Sequence, residues 1–360
     1  MAKEMNYVQK RTAEITKLTR SILAELPSVV FDYIQSIANT TQPMTRYAYA
    51  HDIRLFMTYL SKENPKFAHK EMNLWTSEDL QLITAKDIVM YMDYLSLYLD
   101  ESEALITNEE LGKMRKFYAV RSFFKWMFRQ QLIPSDVSAL VDPPKRHEKP
   151  IRRLEIDEVA KMLDAAENGD SLTDKQKQYH AITRKRDLAM LSLFLGTGIR
   201  VSECVGLDIS HIDFEMGAFL VTRKGGNQVI LYFSDEVAKP LKEYIEERQK
   251  VNAVPGHEDA LFLSMQRRRM SVRAIEEMVK KYARIAAPLK DRISPHKLRS
   301  TFGTNLYNET GDIYLVADVL GHADVNTTKR HYAAMSDERR RLAAKKIILR
   351  DDDSKPSAED

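Results

Sequence analysis

The sequence predicts a mainly α-helical chain in two domains, with one small β-sheet or hairpin in the second. Three observations predict it. Apolar residues recur at helical spacing over long stretches; a Pro-rich, charged run at 141–150 interrupts the chain; and residues 218–233 hold two β-prone runs around a Gly-containing turn. With 360 residues, 44% of them hydrophobic, the chain is long and apolar enough for two cores.

In the first half, residues before about 25 read as one short helix. Residues 45–60 follow with apolar positions at helical spacing and with Arg46 and Arg54 off the stripe. A further helix is expected from about Asn108 to Gln130. It sets Arg121, Lys125 and Arg129 on one face while Val120, Phe124 and Met127 point elsewhere. Basic faces of this kind can meet DNA phosphates, and they serve equally well as solvated surface. The run Asp142-Pro143-Pro144-Lys145-Arg146 through Pro150 reads as an interdomain linker.

In the second half, Gly196-Thr197-Gly198 forms a Gly-rich turn that lacks P-loop spacing and opens a short helix. Arg200 and Glu203 lie three residues apart there, so Glu203 can steady a guanidinium that grips a phosphate. The hairpin at 218–233 carries Lys224 at its tip, where a flexible lysine can protonate a departing oxygen or simply be solvated. Arg267 and Arg268 precede Ser271, a cap for a helix through Ile275, Met278, Val279 and Tyr282, and form a patch suited to phosphates or to water. Ser294 and Pro295 start a helix that runs toward Gly311, with Ser294 as cap. His296 and Arg299 share a face of it while Leu298, Phe302 and Leu306 mark its buried stripe. Gly321 closes another helix before His322, and a short helix after it carries Tyr332, one of 16 tyrosines. A phenol attacking a phosphodiester in line keeps the bond energy as a phosphotyrosine and needs no nucleotide cofactor.

The series Arg200, Lys224, His296 with Arg299, His322, Tyr332 resembles the tyrosine recombinase (phage integrase) family, Xer type, over nearly the whole chain. The resemblance implies a helical core-binding domain at 1–141, a linker at 142–153, and a mixed α/β catalytic domain at 154–350. That domain would end in a helix passed to a neighbouring subunit, within 342–349, followed by an acidic disordered tail at 351–360. It implies that Arg200, Arg299 and His322 bind the scissile phosphate, that Lys224 is the general acid, that His296 handles proton transfer, and that Tyr332 attacks. DNA-backbone contacts are expected from Lys145 and Arg146 in the linker. The partners implied are a double-stranded, dif-like inverted-repeat site, a homotetramer on two such sites, and an FtsK-type DNA translocase acting before cell division. Three local departures stand out: Leu195-Gly196-Thr197-Gly198 replaces the usual Ala-Arg-Thr-Gly lead-in, Ser300 follows Arg299 where many members have His, and the hairpin reads Arg223-Lys224-Gly225-Gly226 rather than Gly-Lys-Gly. The last makes Arg223 a neighbouring candidate for the acid. An integrase of a phage or mobile element shares every catalytic residue, and a non-catalytic DNA-binding protein on the same fold needs a damaged constellation.

Charge and cysteine usage narrow the classes further. A net charge of +3 rests on 55 basic against 52 acidic residues, so DNA binding must come from where the basic residues sit, not from their sum. The single cysteine, Cys204, allows no intramolecular disulfide and no cysteine-based zinc cluster, and reads as a small core residue. No stretch approaches the length of a membrane span and no apolar signal segment opens the chain, so a cytosolic protein is expected.

Overall fold

The computed structural model describes residues 5, 7–100, 102–145, 153–223, 226–290, 292–322, 324 and 325. They fall into two compact units, Met1–Lys149 and Pro150–Asp360. Both are mainly helical, as the apolar spacing predicted, and each also holds a small antiparallel sheet. Among the described residues no helix is long and apolar enough to cross a membrane.

The first unit runs α1 (Tyr7–Leu23), α2 (Ser28–Ser36), α3 (Pro43–Glu63), α4 (Ser77–Gln81), α5 (Ala85–Tyr94), β1 (Tyr98–Leu99), β2 (Leu105–Ile106) and α6 (Glu110–Arg129). Helix starts follow from local chemistry. Pro43 takes the first turn of α3, while Thr76 with Asp79 and Thr84 with Asp87 form reciprocal capping boxes on α4 and α5. The expected start of α6 at Asn108 is too early by two residues. Asn108 is held outside the helix, donating from Nδ2 to the Leu95 carbonyl at 2.9 Å and accepting from Lys116 Nζ at 2.8 Å. The β1–β2 pair was not foreseen, because a two-residue strand has too few positions to show alternation.

The core of this unit is aromatic: Tyr33, Phe56, Tyr91, Phe117, Phe123 and Phe124 are all below 2% exposed. Tyr33 donates to Ser122 Oγ at 2.8 Å, so its polar tip is satisfied inside the core. Asp52 on α3 is fully buried and accepts from Arg115 on α6 through Oδ2, while Oδ1 has no partner. Burial pushes this carboxyl above its ordinary 3.8, with the charges of Arg115 and Lys116 pulling the other way. A raised folded-state value means that the folded protein holds this proton more tightly than the unfolded chain does. The contribution is therefore complete below pH 3.8 and is lost as the pH climbs through the raised value. Relative to Asp52→Asn, the wild-type protein is expected to lose stability as pH rises through that window. Denaturant midpoints of both proteins across acidic to neutral pH check it, and a constant difference between them would refute it.

The second unit runs α7 (Ile156–Asn168), α8 (Asp174–Thr197), α9 (Val201–Val205), β3 (Ile212–Asp213), β4 (Ala218–Thr222), β5 (Gln228–Tyr232), α10 (Asp235–Arg248), α11 (Val272–Ala286), α12 (Pro295–Thr310) and α13 (Ile313–Leu320). Helix α8 is its axis: α7, α10 and α12 pack against it. The reason lies in its second half, where Ala189, Met190, Leu191, Leu193 and Phe194 are all fully buried. A helix apolar all round belongs inside a bundle. Strands β4 and β5 pair from Ala218↔Tyr232 to Thr222↔Gln228, the hairpin the sequence predicted, and β3 adds a short third strand on the β4 edge.

A buried ionic cluster fastens α8 to α11. Asp187, 1% exposed, accepts from Thr183 Oγ1 at 3.1 Å, from Arg186 Nε at 3.0 Å and Nη2 at 2.7 Å, from Lys281 Nζ at 3.1 Å and from the Tyr282 hydroxyl at 3.0 Å. Burial and the Asp187 charge together hold the Tyr282 phenol well above its ordinary range. No sequence spacing announced this cluster, since Lys281 and Tyr282 lie nearly a hundred positions from Asp187.

Candidate active site

Gly198 is where the pieces meet. It ends α8 with φ +62, a left-handed conformation that side chains disfavour, and a Cβ there would strike Phe302 of α12 and Leu320 of α13. The close approach lets α12 and α13 reach the end of α8. Phe302 and Leu306 complete the contact by packing on Val316 and Leu320.

Arg200 is the N-cap residue of α9. Glu203, one turn on, accepts from the Arg200 backbone N–H at 3.0 Å and from Nη1 at 2.7 Å, so the steadying carboxylate read from the spacing is in place. The Glu203 side chain is only 4% exposed, and that of Arg200 is 36% exposed. Cys204 beside it is buried, and burial pushes its thiol up, away from any nucleophilic role.

Arg299 lies one turn beyond His296 in α12, yet the two have opposite environments: His296 is exposed and Arg299 is 4% exposed. Arg299 is thus no member of a solvated face. Its Nη1 donates to the Gly198 carbonyl and its Nη2 to the Leu320 carbonyl. Arg200 Nη2 donates to the same Leu320 oxygen at 3.2 Å and to the Gly321 carbonyl at 3.0 Å. Two guanidinium groups from separate segments therefore converge on one oxygen. A helix C-terminus carries partial negative charge on its last carbonyls, which suits this cluster of cations.

Ser294 occupies the N-cap position of α12 but its side chain makes no capping bond, so the expected cap is positional only, with Pro295 supplying the first turn. Ser300 donates to the His296 carbonyl at 3.1 Å, a bond back along its own helix. His322 follows the left-handed Gly321; its backbone N–H donates to the Ala317 carbonyl at 2.9 Å, which folds it back over the end of α13. Arg223, weighed in the sequence only as a neighbour of the lysine, reaches this same helix end, with Nη2 donating to the Val319 carbonyl at 2.9 Å. Lys224, Arg146 and Tyr332 lie outside the described residues, as do the 342–349 segment and the 351–360 tail. Among the described residues no group of three or more His, Cys, Asp or Glu could hold a metal ion.

The remaining basic residues sort by what already occupies them. Arg46 donates from Nη1 to the Ala38 and Thr41 carbonyls at 2.9 and 2.7 Å, closing the turn between α2 and α3. Arg54 is ion-paired with Glu25 at 2.9 Å. Arg121 lies over the Phe117 ring, 5.6 Å from its centroid. Lys125, Arg129, Lys145, Arg267 and Arg268 are exposed. Their neighbour Arg269 is structural: it pairs with Asp208 and donates to the Val205 and Leu207 carbonyls at 2.9 and 2.8 Å.

Comparison with known proteins agrees with this geometry. The pattern described as "Phage integrase family" matches residues 152–339, just over half of the chain. Tyrosine recombinase XerD of Staphylococcus epidermidis is 31% identical over 259 residues, covering 68% of this chain and 84% of that protein. Tyrosine recombinase XerC of Anoxybacillus flavithermus is 27% identical over 304 residues, covering 84% and 90%. In fold, the chain is similar to the XerH site-specific recombinase in its post-cleavage complex with a palindromic difH substrate, at TM-score 0.63 and 19% identity over 92% of this chain and 93% of that one. It is also similar to a lambda integrase dimer bound to a COC' core site, at TM-score 0.57 and 18% identity over 84% and 94%. The chain belongs to the phage integrase family, as a tyrosine recombinase of the Xer type, an enzyme that cleaves and rejoins DNA.

Proposed function

We propose that this protein recombines a dif-like inverted-repeat site and converts chromosome dimers to monomers before division, in the manner of the single-protein XerS system. The observation that carries the chemistry is the convergence of Arg200 and Arg299 on one carbonyl oxygen. Donors that can share one oxygen there can share a phosphate oxygen instead, and guanidinium forks match that geometry. Tyr332 attacks the phosphorus, the bond to the 5′ oxygen breaks, and the 3′ phosphate stays on the phenol oxygen. His296 takes the phenol proton, Lys224 supplies a proton to the leaving 5′ oxygen, and Arg200, Arg299 and His322 carry the charge that builds on the phosphate. The freed 5′ hydroxyl of a partner strand reverses these steps, so no metal or nucleotide is consumed.

In this reading residues 1–141 are the core-binding domain and 154–350 the catalytic domain. The exposed Lys125, Arg129 and Lys145, with Arg146, meet the DNA backbone. Four copies act on two sites, the 342–349 segment docks on a neighbouring copy, and a translocase of the FtsK type brings the sites together in the cytoplasm.

The test is a nicked duplex carrying the inverted repeat nearest the protein's own gene, incubated with the full-length protein and resolved under denaturing conditions. A covalent adduct is expected whose digestion maps the 3′-phosphate to the peptide containing Tyr332. Specific binding with no adduct would overturn the reading, and an adduct with supercoil relaxation but no exchange between two sites would make the protein a topoisomerase.

A further inference from the structure

Arg223 belongs to two elements at once. Its backbone closes the β4–β5 hairpin, donating to the Asn227 carbonyl at 2.8 Å and accepting from Gly226 at 3.1 Å. Its side chain crosses to the end of α13, where Nη2 donates to the Val319 carbonyl at 2.9 Å. Next to it in sequence is Lys224; two residues beyond Leu320 is His322. One side chain thus joins the turn that carries one proposed catalytic group to the helix end that presents another.

The fit at Gly321 is equally specific. Gly321 has φ +61, and a Cβ there would land on the guanidinium of Arg223. The guanidinium therefore occupies the space a side chain would fill at Gly321, one residue before His322. Its Nε is buried with no hydrogen-bond partner, an unusual cost for a residue serving only as packing. Arg200 and Arg299 hold the neighbouring Leu320 and Gly321 carbonyls, which leaves Val319 to Arg223.

We propose that Arg223 is a positioning residue for DNA cleavage, bracing the carboxyl end of α13 so that His322 is held beside Arg200 and Arg299. This rests on the recombinase reading above. It goes beyond it by giving work to a position where the family resemblance has glycine.

Three measurements on full-length Arg223→Ala and Arg223→Lys test it. In amide hydrogen exchange, Arg223→Ala is expected to lose protection across 317–322, where Gly321 and His322 donate back to Asp318 and Ala317. In single-turnover cleavage of a nicked duplex at saturating protein, it is expected to be about ten- to a hundredfold slower, the scale of a small misplacement of a reacting group, with duplex affinity within about threefold. Arg223→Lys, which keeps a donor for Val319 but loses the guanidinium that fills the space beside Gly321, should recover part of both. In the third, the scissile 5′ oxygen is replaced by sulfur, whose leaving group needs no proton. The Arg223→Ala defect should persist on that substrate.

Unchanged exchange across 317–322 would overturn the proposal. So would full rescue by the sulfur substrate, which would make Arg223 the proton donor, or a loss of affinity large enough to account for the slower cleavage. If the unaltered protein forms no adduct, the recombinase reading falls on its own, and the exchange measurement alone judges the brace.

Discussion

Arg299→Ala is expected to slow single-turnover strand cleavage by roughly a hundred- to a thousandfold, with duplex binding changed by no more than about threefold. The argument starts from placement. Arg299 is buried and its two terminal nitrogens are fixed on the Gly198 and Leu320 carbonyls, so its charge is oriented before DNA arrives. A preorganised donor stabilises charge as it builds on the phosphate without reorganising at that moment, which raises the rate more than the affinity. Arg299→Lys should lose nearly as much, because one ammonium cannot span both carbonyls as a planar fork does. Arg200→Ala should fall in the same range, and it also leaves the buried Glu203 carboxylate without its cation. Since both arginines share the Leu320 oxygen, the double variant should lose less than the product of the single losses. Rapid-quench cleavage of a nicked duplex, with Tyr332→Phe as the zero, measures all four. Single variants that cleave within threefold of the unaltered protein would sink the phosphate-clamp assignment.

The parts of this picture legible in the sequence are those written in local chemistry. The Ser271 cap, Pro and Gly at helix ends, the β-prone runs at 218–233 and the Arg200–Glu203 spacing each depend on residues close together in the chain. The family pattern was legible for a related reason: six side chains in a fixed order are far more specific than any one of them. The Leu320 carbonyl was not legible, because every residue carries a carbonyl and only folding selects one. Arg223 was read as a neighbour of Lys224, while its reach to Val319 depends on how the hairpin and α13 come together. Arg46 lies off the apolar stripe, and nothing in that spacing says that its guanidinium closes the turn before α3 on the Ala38 and Thr41 carbonyls. An arginine's position on a helix face says where it can point, not which acceptor it takes.

The largest effect on stability is expected at Asp187, another residue whose importance is tertiary. Replacing it with alanine removes the only carboxylate facing Arg186 and Lys281 in the ion pairs described for this cluster, whose side chains are 13% and 22% exposed. It also strips an acceptor from the buried Tyr282 hydroxyl and from Thr183. Breaking a buried pair by deleting one partner costs about 3–5 kcal/mol, because the surviving charges stay in a poorly solvated site. Arg186 keeps its bond to the Leu263 carbonyl at 3.0 Å, so the cation cannot simply swing into water without giving up a second contact. Asp187→Asn keeps the shape and an acceptor oxygen but not the charge, and should fall between the two. The cluster joins α8 to α11, and α8 ends at Gly198, so the loss should also reach the site that α8 helps to set. Denaturant unfolding of the three proteins, followed by a probe in the second unit, gives the energies. A cost below about 1 kcal/mol for Asp187→Ala, the range of an exposed surface pair, would mean that water already reaches these charges and that packing, not the carboxylate, fastens α8 to α11.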